Sequence, residues 1–176
     1  MTKTTQNLPL TDQLSPEETA FTKKIKNPLL QRFFMLIKLP SAFFMGIKIV
    51  AVDLERASVA VPYAWRSQNP FRSTYFAAQA AAAEMSTGVL AMMALQGKGK
   101  ISMLITHMDA NYLKKANKKA IFVCEEGLKV RKAVNQAIQT GNAVEVALHT
   151  KGFIKDAEGK TVEISNFTFT WSFKTK

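Results

Sequence analysis

The sequence predicts an α+β protein in which an antiparallel sheet curls around one long central helix. Residues 75–95 are apolar on nearly every side of a helical wheel, with Gly88 as the one strong helix breaker. This pattern is typical of a helix that is buried on all sides. Segments that alternate apolar and polar residues flank it on both sides, and they must supply the layer that covers it.

The N-terminal part of the chain predicts helices. Residues 1–14 are polar and irregular and are interpreted as a mobile tail before a single domain over residues 15–176, a length that suits one hydrophobic core. The motif Ser15-Pro16-Glu17-Glu18 has the residue types of a capped helix start, so a short helix is expected to about Lys26.

A second helix is predicted from Pro28 to Leu39, where Pro40 stops it and residues 43–46 lead into the first strand. Its apolar face is formed by Leu29, Leu30, Phe33, Phe34 and Ile37. The aromatics Phe43 and Phe44 that follow would roof a ligand pocket or close the open end of the core, and contact of residues 29–45 with a membrane is a further alternative.

The rest of the chain predicts a hairpin before the central helix and four strands after it. The hairpin spans residues 46–54 and 57–65, and a loop over 66–71 leads to the helix. An inserted helix over 126–139 interrupts the later strands, because its apolar residues change to a helical period. Those strands are expected at 101–113, 120–125, 143–151 and 161–174.

Glu84 is the anomaly of the central helix. No Lys or Arg lies between Arg72 and Lys98, so its carboxylate has no partner on its own helix. A buried carboxylate takes up a proton or finds donors elsewhere, and a structural bond to Arg66 or Arg72 is as well supported as a catalytic role. Ser73 or Thr74 is the expected N-cap of this helix, whose free amides would form an anion or oxyanion site.

The residues of this helix and its approach carry a family resemblance. Asn69, the turn Ser73-Thr74-Tyr75-Phe76-Ala77 and Glu84 resemble the signature of hot-dog-fold thioesterases of the phenylacetate-degradation type. In that family an Asn, a His-Gly-Gly turn and an Asp or Glu recur at this spacing, and Tyr75-Phe76-Ala77 stands in place of His-Gly-Gly. More closely, the run from about Pro28 to Lys174 resembles an uncharacterised thioesterase-like hot-dog domain group.

The resemblance implies a hot-dog fold that hydrolyses acyl-coenzyme A thioesters without a metal or other cofactor. Glu84 would be the general base, and the amides of Phe76, Ala77 and Ala78 would form the oxyanion hole. Asn69 would orient the water or the carbonyl, and Thr87 would hold the carboxylate. The remaining substrate-binding positions are Arg66, Arg72, Ser73, Tyr75 and Phe76, with the two arginines contacting coenzyme A phosphates.

The oxyanion amides and Glu84 are expected about 10 Å apart along one helix, too far for one reacting carbon. The resemblance implies a homodimer, or a dimer of dimers, with sites at the subunit interface, and cooperation across that interface would remove the difficulty. The alternative is a non-hydrolytic acyl-coenzyme A or fatty-acid binding module, which the large side chains of Tyr75 and Phe76 favour. An enzyme of lipid metabolism fits the aromatic and Met-rich composition.

Other features of the sequence point away from competing functions. The net charge of +11 would attract nucleic acid, but the aromatic platform that base contacts need is missing. Cys124 is interpreted as a core residue rather than a nucleophile, and His107 with Asp109 as a structural pair rather than a catalytic one. No transmembrane segment, metal cluster or required disulfide is recognised, and a cytoplasmic location is expected.

Overall fold

The computed structural model describes residues 13–176, which form helices and one open, curled sheet of six antiparallel strands. The predicted α+β class is confirmed. The first twelve residues of the predicted tail lie outside the described part, so that expectation stays a prediction. The elements are α1 (Pro16–Lys26), α2 (Pro28–Lys38), α3 (Pro40–Met45), β1 (Lys48–Val52), β2 (Ala57–Val61), α4 (Phe76–Ala94), β3 (Ile101–Tyr112), β4 (Ala120–Cys124), α5 (Gly127–Thr140), β5 (Val144–Lys155) and β6 (Thr161–Thr175).

The strands lie side by side in the order β1-β2-β4-β5-β6-β3. Among residues 13–176, the outermost strands are therefore β1 and β3, and β3 pairs with β6 alone. On β6, the predicted alternation is confirmed, because its aromatic side chains are buried on one face. They are Phe167, Phe169, Trp171 and Phe173.

The starts of the first two helices are confirmed, and each helix has a side-chain cap, of which only Ser15 was predicted. Ser15 and Glu18 form a capping box, in which each side chain accepts a hydrogen bond from the other residue's backbone amide. Asn27 caps α2, since its side-chain oxygen accepts the amides of Leu29 and Leu30. The inserted helix α5 is confirmed too, and it packs against α4 and β5.

Three local predictions are wrong. Residues 40–45 form α3 rather than an approach to the first strand, because Pro40 suits the first helical position and Gly46 ends the helix at a φ of 75°. Strand β2 ends at Val61, since the next residue is a proline, which has no amide to donate to a sheet. Helix α4 begins at Phe76 with Tyr75 as N-cap and no side-chain cap, so neither Ser73 nor Thr74 caps it.

Helix α2 turns its apolar face outward, so this face does not close the core. Gln31 is buried, and its amide donates to the carbonyls of Ile25 and Ile49 at 2.9 Å and accepts the Ile49 amide at 3.1 Å. Because this polar side chain fixes α2 to β1, the opposite and apolar side of the helix faces outward. Its side chains Leu29, Leu30, Phe33, Leu36 and Ile37 are exposed.

Candidate functional site

Glu84 lies in the middle of α4 beside a small apolar cavity of about 120 Å³. Within residues 13–176, no hydrogen bond or ion pair reaches its carboxylate, and neither Arg66 nor Arg72 pairs with it. Burial raises the pKa of this carboxyl group from 4.5 to about 7. A carboxylate in this state exchanges a proton near neutral pH, as a general base must. The cavity is lined by Ile25, Phe34, Met35, Leu39, Ile49, Met85, Gly88, Val89, Met92 and Met103.

Gly88 follows Glu84 by one helical turn and makes room for its carboxylate. A Cβ at this position would lie 3.0 Å from Glu84 Oε1 and 3.5 Å from the ring of Trp171. The Glu84 carboxylate therefore occupies the space that a side chain would fill. The sequence shows this glycine only as a helix breaker, because the approach of Trp171 from β6 is a tertiary contact.

Thr87 does not hold the Glu84 carboxylate. Its hydroxyl donates to the backbone carbonyl of Glu84 at 2.8 Å and accepts the indole N–H of Trp171 at 3.0 Å. Thr87 is fully buried, and its bond to Trp171 fixes α4 against β6. Its position therefore determines where the helix segment with Glu84 lies on the sheet.

The first turn of α4 leaves free amides, as expected, but not all of those that were predicted. Within residues 13–176, the amides of Phe76 and Ala77 have no hydrogen-bond partner, which makes them available to an anion. The Ala78 amide already donates to the Tyr75 carbonyl at 3.0 Å. An oxyanion site at this helix start would therefore use Phe76 and Ala77 rather than Ala78.

Buried polar bonds fix this helix start to the loop between β3 and β4 and to strand β6. Thr74 donates to the Ala116 carbonyl through its amide at 2.7 Å and its hydroxyl at 2.9 Å. Gln79 donates to the Thr74 carbonyl at 3.2 Å and accepts the Ser165 hydroxyl at 3.0 Å. The role of Gln79 was not predicted, although it is the single amide side chain within the alanine run of the sequence.

Asn69 organises the loop that leads into α4. Its side-chain oxygen accepts hydrogen bonds from the backbone amides of Phe71 and Ser73, at 3.0 and 3.1 Å. Its backbone amide donates to the Ser73 carbonyl at 2.8 Å. This is an Asx turn, the structural role that an Asn-Pro pair permits. Arg72 within this loop has a φ of 57° and an exposed side chain.

Aromatic side chains surround the helix start. Tyr75 and Phe76 are exposed and meet edge to face, with ring centroids 4.8 Å apart. Tyr112 on β3, which the sequence did not single out, donates to the Phe76 carbonyl at 3.5 Å and packs against Phe167. The free amides at this helix start are therefore approached past aromatic rings.

The remaining predicted residues lie apart from Glu84. Arg66 lies beside Gly46 and lines a larger groove next to α2 and α3. His107 and Asp109 are exposed on β3, and within residues 13–176 no hydrogen bond joins them. Burial raises the pKa of the Cys124 thiol to about 11, which fits the predicted core role.

The described residues hold no cluster of His, Cys, Asp and Glu arranged to bind a metal ion. Among the same residues, none of the helices has the length and apolar character needed to cross a bilayer.

The chain belongs to a family described as a domain of unknown function, DUF4442, whose model matches residues 29–172. No curated protein matches the chain.

Solved structures share its fold at low identity. A protein of unknown function from Chlorobaculum tepidum TLS superposes with a TM-score of 0.72 at 15% identity, over 91% of this chain and 98% of its own. A probable thioesterase from Pseudomonas aeruginosa gives 0.64 at 13% identity, over 93% and 99%. A thioesterase family protein from Silicibacter pomeroyi gives 0.60 at 12% identity, over 89% and 99%. The two neighbours described as thioesterases fit a hot-dog fold.

Proposed function

We propose that the protein is an acyl-coenzyme A thioesterase of the hot-dog type, with α4 as the central helix and Glu84 as general base. The observation that carries the proposal is the unpaired Glu84 carboxylate beside an apolar cavity, with a pKa of about 7. The thioesterase-family neighbours support the same chemistry. The kinship to the phenylacetate-degradation type is part of this proposal and rests on the spacing of Asn69 and Glu84.

In the proposed reaction, Glu84 accepts a proton from a water molecule while the water oxygen attacks the thioester carbonyl carbon. The negative charge that develops on the carbonyl oxygen is stabilised by the amides of Phe76 and Ala77. The C–S bond then breaks, and the thiolate leaves and takes up the proton that Glu84 carried. The products are a carboxylic acid and free coenzyme A thiol, and no covalent intermediate or cofactor is used.

Two protomers are part of the proposal. Seven residues separate Ala77 from Glu84, which is about 10 Å along one helix and too far for both to reach one carbonyl. The amides that act together with Glu84 of one protomer would therefore come from its partner in a homodimer or a dimer of dimers. Strand β3 suits this pairing, because it is a sheet edge of 12 residues with Leu104 and Met108 exposed.

The substrate-binding residues are proposed around the same helix start. Ser73, Tyr75 and Phe76 would contact the thioester, and Arg72 and Arg66 would bind coenzyme A phosphates. The Asn69 oxygen is engaged in its turn, so this residue would contribute through its side-chain N–H groups. Thr87 would position the helix rather than touch the substrate. We place this activity in lipid metabolism in the cytoplasm.

A second candidate function is a binding module for acyl-coenzyme A or fatty acids that performs no hydrolysis. The observation that favours it is the exposed pair Tyr75 and Phe76, whose rings stand at the free amides where a thioester carbonyl must approach. Such a module would keep the cavity and bind ligand equally well with or without the Glu84 carboxylate.

Release of free thiol from a panel of acyl-coenzyme A esters, short to long and aromatic, tests the proposal. Glu84→Gln should lower turnover by about 10²- to 10⁴-fold, the usual contribution of a general base. Glu145→Gln, at an exposed carboxylate on β5, is the matched control and should keep full activity.

If the panel gives no turnover while acyl-coenzyme A raises the melting temperature of both proteins, the binding module is correct. Turnover that survives Glu84→Gln would remove Glu84 from the mechanism.

A further inference from the structure

An apolar surface on the outside of α2 and α3 is unused by the proposed chemistry. On a helical wheel, five exposed side chains of α2 fall within an arc of about 120°. Leu29 is 79% exposed and Phe33 63% exposed, and Phe44 on α3 adds a further 66%. Side chains of this size are rarely left in water as one continuous patch. The five residues of α2 are Leu29, Leu30, Phe33, Leu36 and Ile37.

A groove of about 1140 Å³ lies next to this apolar surface, between α2, α3 and β1. Trp65, which is 82% exposed, stands at the groove with its ring in solvent. Met35 and Ile49 line both this groove and the small cavity beside Glu84. The two spaces are therefore neighbours that share a wall of two apolar side chains.

The charged side chains of residues 13–176 that line the groove all have one sign. Residues 19–52 contain six basic side chains and no carboxylate. Three of these cations, Lys26, Arg32 and Lys48, line the groove together with Arg66 from the next loop. An apolar face edged by cations is the pattern that binds an anionic lipid surface, where headgroups pair with the charges and acyl chains receive the apolar side chains. The six are Lys23, Lys24, Lys26, Arg32, Lys38 and Lys48.

The length of the helix decides how it would meet a bilayer. Helix α2 has 11 residues and is about 16 Å long, roughly half the thickness of a hydrocarbon core. It would therefore lie along the membrane surface, with its apolar arc about 5–10 Å deep at the boundary between headgroups and acyl chains. Aromatic side chains such as Trp65 favour this interfacial depth.

We propose that the outer face of α2 and α3 docks the protein on an anionic phospholipid surface. The docked orientation turns the groove toward the bilayer. This inference stands apart from the hydrolytic proposal, because the apolar docking side chains of α2 and α3 have no part in the proposed reaction, and Arg66 is the one groove residue that the two proposals share.

Flotation with lipid vesicles tests the docking. Wild-type protein should bind vesicles of phosphatidylcholine mixed with phosphatidylglycerol at least tenfold more tightly than vesicles of phosphatidylcholine alone, and salt should weaken this binding. The double variant Leu29→Glu and Phe33→Glu should lose at least tenfold in affinity. Both side chains are exposed, so the variant should fold, which circular dichroism checks. Leu128→Glu, at an exposed leucine on α5, is the matched control and should bind as wild type does.

Trp65 gives an independent signal. The chain has two tryptophans, and Trp171 is buried against α4, so a change in emission on adding vesicles reports Trp65. Its emission should shift to shorter wavelength and be quenched by brominated lipid. Trp65→Phe should abolish the signal. Glu84→Gln should leave both the signal and the binding unchanged, which separates this test from the test of hydrolysis.

Three outcomes would overturn the docking proposal. They are the absence of vesicle binding, equal binding by the double variant and wild type, and equal affinity for neutral and anionic vesicles. Sedimentation velocity without lipid identifies the main competitor. If the double variant dissociates a wild-type oligomer and vesicles have no effect, a second copy of the chain covers this face instead.

Discussion

Glu18 and Glu84 are two carboxylates on helices, and the structure treats them differently. Glu18 on α1 is 1% exposed and pairs with Arg131 of α5, while it also accepts the Ser15 amide at 2.8 Å. Glu84 on α4 lies beside an apolar cavity, and no partner reaches its carboxylate from residues 13–176. Burial alone therefore does not single out a candidate for a functional acid. The missing partner makes Glu84 the candidate, because its proton can be exchanged with a ligand or water.

Glu18 and Glu84 also contribute differently to the stability of the fold. The Glu18–Arg131 pair connects the N-terminal helices to α5, and removing one partner leaves the other charge buried. Glu84 has no pairing interaction with residues 13–176 that would stabilise the fold, and its ionised form lowers the free energy of unfolding because burial disfavours the charge. Three changes test this contrast.

Arg131→Met should have the largest effect. It leaves the Glu18 carboxylate buried with only the Ser15 amide, so the free energy of unfolding should fall by about 3–5 kcal/mol. Urea unfolding at neutral pH measures this loss. The double variant Glu18→Gln and Arg131→Met removes both charges and should recover a large part of it. A loss below about 1 kcal/mol for Arg131→Met would mean that the pair is structurally unimportant.

Glu84→Gln should stabilise the protein at high pH. Because burial raises the pKa of Glu84, the folded state binds more protons than the unfolded state between pH 4.5 and about 7. The contribution of Glu84 to the free energy of unfolding therefore falls as pH rises through that window and then levels off. At about 1.4 kcal/mol per pKa unit, the variant should be more stable by roughly 3 kcal/mol at pH 8 and equal to wild type near pH 4.

Urea unfolding of both proteins across this pH range gives the difference directly, with Glu145→Gln as the control for loss of an exposed carboxylate. A variant that is less stable than wild type at pH 8 would show that Glu84 has a partner after all.

Gly88→Ala should have the smallest effect on stability. Alanine favours the helix by about 1 kcal/mol, but its Cβ would lie 3.0 Å from Glu84 Oε1 and force the carboxylate to move. The two effects should nearly cancel in thermal unfolding, while thioester turnover should drop about tenfold. An active variant with wild-type kinetics would show that the position of the Glu84 carboxylate is not critical.

Features that depend on neighbouring residues could be predicted from the sequence. The Ser15 cap, the burial of the β6 aromatics and the inserted helix α5 follow from local residue types and periods. Glu84 could also be recognised as a candidate functional residue, because the sequence alone shows that its helix contains no Lys or Arg.

Contacts between distant segments were not predictable. Trp171 and Thr87 are 84 positions apart, and Ser165 and Gln79 are 86 apart, so no local pattern indicates these hydrogen bonds. The orientation of α2 was missed for a related reason. Its apolar stripe suggested a buried face, but the bonds that Gln31 makes to Ile25 and Ile49 turn that stripe outward.

The central claim is that Glu84 accepts a proton from water during thioester hydrolysis, and the pH dependence of kcat/KM tests it most directly. The base must be ionised, so the rate should rise with pH, bend at about 7 and then stay level, in line with the raised pKa of Glu84. Glu84→Gln should lose this bend together with most of the rate. A wild-type profile without a bend near 7, or a variant that keeps both the rate and the bend, would contradict the account.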